Sequence, residues 1–219
     1  AYDTPIQGYG VRTCNTLTLW SARAVQSFAL EAFNTGDYYK AVEEEVTSET
    51  VTKVLYPNDE PESGKRLRLL QQFFFVSCSL QHMLHVLDDL AELSIDDLPQ
   101  RFAVQLNDTH PSIGVAELMR LLVDERRLDW EHAWDITVAT FAYTNHTLLP
   151  EALEKWPLDL FGESLPRHLE IIYEINSRFL DEVRARFPGD EDRVRRMSLI
   201  GEDGGKTVRM AYLATVGSH

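Results

Sequence analysis

Cysteine is nearly absent from this 219-residue chain: Cys14 and Cys78 stand alone, with no Cys-x-x-Cys pair. A thiol-rich metal centre or disulfide scaffold is therefore excluded, and two isolated thiols fit a cytoplasmic setting. Cys78 lies in the run Phe73-Phe74-Phe75-Val76-Ser77-Cys78-Ser79-Leu80 and reads as a small buried hydrophobe. No uninterrupted apolar run reaches the roughly 20 residues a membrane-spanning helix needs. Basic residues are also few, 21 against 35 acidic, for a net charge of −14. Nucleic acid and anionic membrane surfaces both require clustered Lys and Arg, so neither is an expected partner. Gly-x-Gly-x-x-Gly, His-Glu-x-x-His and Gly-x-Ser-x-Gly do not occur. Gly201-Glu202-Asp203-Gly204-Gly205-Lys206-Thr207 comes near a phosphate loop. It has one residue too few before Gly205-Lys206-Thr207 and precedes a strand, so it reads as a tight turn. The first residues, Ala1-Tyr2-Asp3-Thr4, show neither the basic nor the apolar region of a signal peptide, and no initiator Met.

What is present, 44% hydrophobic and 26% charged residues, describes an ordinary globular chain. Residues 17–20 read as a short strand. Gly36 and Asp37 introduce a helix over 38–55, and 56–64 is a loop on its Pro, Gly and Asn content. Leu69, Phe73, Val76, Leu80, Leu84, Leu87 and Leu90 recur at three- and four-residue intervals, predicting a core-facing helix over 65–92. His82 and His85 lie off that stripe and read as surface residues. A strand is expected over 102–106, then helices over 111–123 and 130–142, the latter capped by Asp129. Trp130 and Trp134, four apart, suit core packing or a sugar-stacking platform, with core packing the expectation. Residues 165–187 form another amphipathic helix, and 208–216 read as a strand.

Two clusters carry chemistry. Gln105-Leu106-Asn107-Asp108-Thr109-His110-Pro111 follows the strand over 102–106 and precedes a helix starting at Pro111. In open α/β sheets ligands bind beyond the carboxyl ends of strands. Tyr143-Thr144-Asn145-His146-Thr147-Leu148-Leu149-Pro150-Glu151-Ala152-Leu153-Glu154 likewise ends in an X-Pro helix start. Amides, hydroxyls, a carboxylate and a histidine, with no nucleophile and no metal spacing, suit a polyhydroxyl ligand such as a sugar. The same residues also suit helix capping and local turns. Asp59, Asp108, Glu151 and Glu154 are candidates for two-carboxylate glycoside hydrolysis, but no spacing selects a pair.

These two clusters resemble signature stretches of the glycogen, starch and maltodextrin phosphorylases. The resemblance continues, in the family's order, through Asp3-Thr4-Pro5-Ile6-Gln7-Gly8-Tyr9, Asn15-Thr16-Leu17-Thr18-Leu19-Trp20 and Phe33-Asn34-Thr35-Gly36-Asp37-Tyr38. It extends through Leu55-Tyr56-Pro57-Asn58-Asp59, Leu67-Arg68-Leu69, Pro166-Arg167-His168-Leu169-Glu170-Ile171-Ile172 and Val216-Gly217-Ser218-His219. It implies a helix-rich α/β fold, a partial Rossmann-like domain of a two-domain GT-B-like glycosyltransferase. The 219 residues would be one partial domain, an internal piece from the later part of the N-terminal domain of a bacterial-type member.

The implied activity is phosphorolysis of α-1,4-glucan by inorganic phosphate to glucose 1-phosphate. Pyridoxal phosphate would be held by a lysine in a C-terminal domain outside this chain. By resemblance His146 is the catalytic-site histidine at the sugar's 6-hydroxyl, with Asn145 and Thr147 on the same wall. Asp108, His110 and Arg68 line a pocket by the anomeric face. Residues 58–64 match a mobile allosteric gate, with Asn58, Asp59 and Glu60 at its head. Animal members continue this gate with an amide and two aromatics. Glu60, Pro61 and Glu62 stand here, so the aromatic stacking site and the amide contact do not carry over. Residues 38–49, with Tyr38 at one end and Glu49 at the other, match a helix through which family members form homodimers. The opposing expectations are a non-catalytic glucan-binding or structural fragment and a glycoside hydrolase.

Overall fold

A computed structural model of the chain describes residues 1–25, 29–89, 93–147, 149–202 and 204–219. Leu90 of the apolar stripe, the expected helix end at Glu92, Leu148 of the second cluster and Asp203 of the glycine-rich turn lie outside the described residues. The chain divides into two compact units, Ala1–Phe75 and Val76–His219.

In the first unit, β1 (Tyr2–Gln7) pairs antiparallel with β2 (Cys14–Leu19) in the register Tyr2↔Leu19 to Gln7↔Cys14. The strand expected at 17–20 is thus the end of a longer hairpin arm. A short α1 (Leu30–Asn34) leads to α2 (Tyr38–Lys53). Gly36 turns the chain at φ 84, and Asp37 caps α2 by accepting from the Lys40 amide at 3.2 Å. α3 (Glu62–Asp89) starts three residues earlier than Lys65. Pro61 fixes the first turn, its carbonyl accepting from the amides of Gly64 and Lys65, each at 3.1 Å.

Gly64 is required at that turn, because a Cβ there would lie 1.7 Å from the Asn58 carbonyl oxygen. Gly64→Ala is therefore expected to push residues 58–59 aside and to lower stability by about 1–3 kcal/mol, the usual cost of overpacking. A thermal melt checks it, and an unchanged midpoint would mean that the close approach is not held in solution.

In the second unit, the remainder of α3 buries Leu80, Leu84 and Leu87, while His82 and His85 are exposed as expected. Cys78 is half-buried, and burial pushes its thiol up from the ordinary range. A 3-10 turn (Ile95–Asp97) with a Ser94/Asp97 capping box and α4 (Leu98–Arg101) precede β3 (Val104–Asn107). The helix expected from Pro111 instead begins at Gly114, as α5 (Gly114–Arg120). The reason is a tighter lead-in: Ser112, Gly114 and Val115 donate to carbonyls only three residues back, those of Thr109, Pro111 and Ser112. A π-helical turn (Leu121–Glu125) extends α5, and α6 (Trp130–Thr140) starts at Asp129, which accepts from the His132 amide at 3.0 Å.

The helix expected over 130–142 ends early, because Phe141–Thr144 is a strand, β4. It pairs parallel with β3, and the intervening helices form the crossover. A 3-10 turn (Pro150–Ala152) replaces the second expected helix start. Beyond it come β5 (Lys155–Pro157), α7 (Leu158–Ser164), α8 (Pro166–Arg186) and α9 (Glu191–Met197). β6 (Ile200–Gly201), β7 (Thr207–Arg209) and α10 (Met210–Val216) follow. β7 lies between β5 and β6 in an antiparallel sheet.

Of the strand expected over 208–216, only Val208 and Arg209 are strand, and from Met210 the chain is helical. Met210, Ala211, Leu213 and Ala214 are buried at helical spacing, and Met, Ala and Leu favour helix once that burial is available. The architecture is a helix-rich α/β arrangement with small sheets. Among the described residues no helix is long and apolar enough to cross a membrane.

α5 is the centre of the second unit's core, buried from Gly114 through Met119. One of those residues is Glu117. Its carboxylate accepts from Ser77 Oγ at 2.6 Å, from Arg120 at 2.7 and 3.0 Å and from His168 Nε2 at 2.6 Å. Burial pushes this carboxyl upward, but the His168, Arg120 and Ser77 donors outweigh it and hold the group down to about 2.

Candidate functional site

The parallel register Val104↔Phe141 to Asn107↔Thr144 brings the two polar clusters to one end of one strand pair. Both chains leave the strands at their carboxyl ends, Asp108 after Asn107 and Asn145 after Thr144. The ladder extends one bond further, from the Asp108 amide to the Thr144 carbonyl at 2.8 Å. Gln105 Nε2 donates to Thr144 Oγ1 at 2.8 Å, so side chains repeat the backbone pairing.

Asp108 then turns sharply, with φ at 67, in the left-handed region that Asp tolerates better than most residues. Its carboxylate accepts from the Thr109 amide at 2.6 Å. His146 reaches across and its Nε2 meets Asn107 Oδ1 at 2.5 Å. An amide oxygen only accepts, so His146 donates from Nε2 and its Nδ1 remains an acceptor in the neutral ring. Asn145 Oδ1 accepts from the Thr147 amide at 3.2 Å, and Thr147 Oγ1 from the Leu149 amide at 3.1 Å, which shapes this loop locally. His110 faces Glu154, Nδ1 to Oε1 at 3.8 Å. His110 and His146 are exposed, while Asp108, Asn145 and Thr147 are half-buried.

Two participants escaped the sequence reading. Asn107 belongs to the first cluster, and its place as the last residue of β3 is the sequence signal that marks it. Tyr143 carries a buried hydroxyl without a hydrogen-bond partner, and burial together with the nearby Asp108 charge pushes its phenol above the ordinary range.

In the first unit, Arg68 Nη1 pairs with Asp59 Oδ2 at 3.0 Å, and Asn58 Oδ1 accepts from the Glu60 amide at 3.1 Å. Residues 58–60 and Arg68 thus form one small cluster. Glu151, a hydrolase candidate, is exposed. Among the described residues no group of three or more His, Cys, Asp or Glu is placed to hold a metal ion.

A family model described as carbohydrate phosphorylase matches residues 1–219. The chain belongs to that family. It is 64% identical over its whole length to a glycogen phosphorylase of Synechocystis sp., covering 26% of that protein. It is 52% identical, again over its whole length, to the liver-form glycogen phosphorylase of Bos taurus and the muscle form of Homo sapiens, covering 26% and 27% of them. The chain therefore spans about a quarter of the length of the curated relatives it matches.

Pyridoxal phosphate, which the family resemblance implies, needs a lysine whose ammonium is stripped of water in an enclosed pocket. Lys40, Lys53, Lys155 and Lys206 are exposed, and Lys65 is half-buried on α3. The lysines present do not fit that group.

Proposed function

We propose that this chain is part of the N-terminal domain of an α-glucan phosphorylase of GT-B-like, two-Rossmann-domain architecture. It would supply one wall of the cleft where α-1,4-glucan and inorganic phosphate yield glucose 1-phosphate. The cofactor-bearing lysine would lie in a domain outside these residues. The observation that carries the reading is the end of the β3–β4 pair, where His146 is held by Asn107, the residue before Asp108.

His146 Nδ1 is free to accept from a sugar hydroxyl, and Asn145 and Thr147 set the loop that presents it. Asp108 and His110 border the same sugar on its anomeric side. Such contacts accelerate the reaction only where they strengthen in the transition state. In the gate, phosphate entering near Arg68 competes with Asp59 for its guanidinium, which links gate position to phosphate and supports an allosteric role. A homodimer through α2 is supported by Tyr38, Tyr39 and Val46, exposed at 62%, 91% and 59%. We place the enzyme in the cytoplasm.

The test uses the full-length protein with maltodextrin. Phosphate-dependent release of glucose 1-phosphate is expected. Free glucose or maltose without phosphate would assign a hydrolase, and glucan binding without turnover a binding module; either outcome overturns the proposal.

A further inference from the structure

Glu154 is one of the candidates for two-carboxylate hydrolysis, and the cleft proposed above gives it no task. In the structure it closes a second bridge between the two polar clusters. His146 of the second cluster reaches Asn107 of the first. In the opposite direction, His110 of the first cluster turns Nδ1 towards Glu154 Oε1 of the second, at 3.8 Å. The two loops are thus joined crosswise, each by its own histidine.

The partners of this second bridge are held very differently. The Glu154 side chain is 11% exposed and that of His110 54%. The Glu154 carbonyl accepts from the Met210 amide at 3.1 Å, and two residues on Trp156 is buried in β5 opposite Val208 of β7. His110 stands out from a tight turn between the buried Thr109 and Ser112. The carboxylate is the fixed member and the imidazole the one that needs holding. The ring torsion of a histidine is broad and roughly two-fold, so without a partner either nitrogen can face a ligand. A carboxylate only accepts, so the Nδ1 beside it carries the hydrogen. That leaves Nε2, on the opposite edge of the ring, as the nitrogen available to a substrate. At 3.8 Å the pair is longer than a hydrogen bond, and such pairs at reaction sites tighten as the substrate complex forms.

We propose that Glu154 is a positioning residue for His110: it holds Nδ1–H and so fixes Nε2 as the nitrogen presented on the anomeric side of the sugar. The inference rests on the reading that His110 borders the reacting sugar.

The experiment is steady-state phosphorolysis of maltodextrin by the full-length enzyme, with a thermal melt on each variant. Glu154→Gln loses the charge but keeps the length and an acceptor oxygen, and should keep most of kcat. Glu154→Asp keeps the charge but withdraws the oxygen by one C–C bond, about 1.5 Å. It should lower kcat roughly 3- to 10-fold, the loss of one hydrogen bond made in the transition state, with KM changed by about twofold at most. In a His110→Ala background neither substitution should lower kcat further, because Glu154 acts through that ring. The reverse ranking, with Glu154→Asp active and Glu154→Gln impaired, would overturn the proposal by making charge the requirement. So would full activity in both variants, or losses that add to that of His110→Ala. Failure of the unaltered enzyme to release glucose 1-phosphate would overturn the cleft reading itself, and this inference with it.

Discussion

Glu117→Ala is expected to lower the unfolding free energy by about 3–5 kcal/mol, the loss seen when one partner of a buried ion pair is removed. His168, Arg120 and Ser77 would then lose the buried acceptor they share, while Arg120 would keep its pair with Glu125. Chemical denaturation measures it. Arg195→Ala is the control, because its pair with Asp192 is solvent-exposed and such pairs contribute about 0–1 kcal/mol.

A pH signature separates this charge from simple loss of packing. The Glu117 carboxyl lies at about 2 in the fold against 4.5 ordinarily. A depressed carboxyl contributes stability that is complete above its unfolded value and disappears as pH falls through its folded one. Stabilities of the parent chain and Glu117→Gln should therefore converge between those two values on acidification. Parallel curves across that window would show that the carboxylate's charge is not what holds the three helices.

His146→Ala in the full-length protein is expected to reduce kcat/KM for phosphorolysis roughly 10- to 100-fold. One hydrogen bond that tightens in the transition state contributes about 1–3 kcal/mol once its partner is buried. His82→Ala and His85→Ala, on the exposed side of α3, should leave turnover unchanged. The melting temperature should also hold for His146→Ala, since the ring is exposed and bonds only to Asn107 among the described contacts. Full activity in a folded His146→Ala protein would remove the histidine from the site.

The sequence carried long amphipathic elements well. α3 and α8 were read within a few residues because Leu69, Leu80, Leu84 and Leu87, or Ile172 and Val183, repeat over many turns. It failed where an element is short. Phe141–Thr144 continues the apolar pattern of α6 without a break, and four residues cannot display a period of two. Residues 210–216 failed as well: a mostly apolar run is silent about period, and packing of Met210 and Leu213 decided for helix.

The candidate site was half legible. Both clusters were visible as residues, but their meeting depends on β4, the strand that was missed. The Glu117–His168 pair was not legible at all, since 51 positions separate its members.

The register Asn107↔Thr144 also makes chain length a chemical variable. Side chains alternate faces along a strand, so one residue inserted within β4 would send His146 to the opposite side of the sheet. Two inserted residues would restore the side but carry the ring roughly 7 Å past Asn107, at 3.3 Å or so per residue. No point substitution imitates either defect. Insertions between Glu125 and Asp129, outside both strands, leave the alignment untouched. The strand is thus governed by the parity of its length, and the crossover loop is where the protein can absorb extra residues.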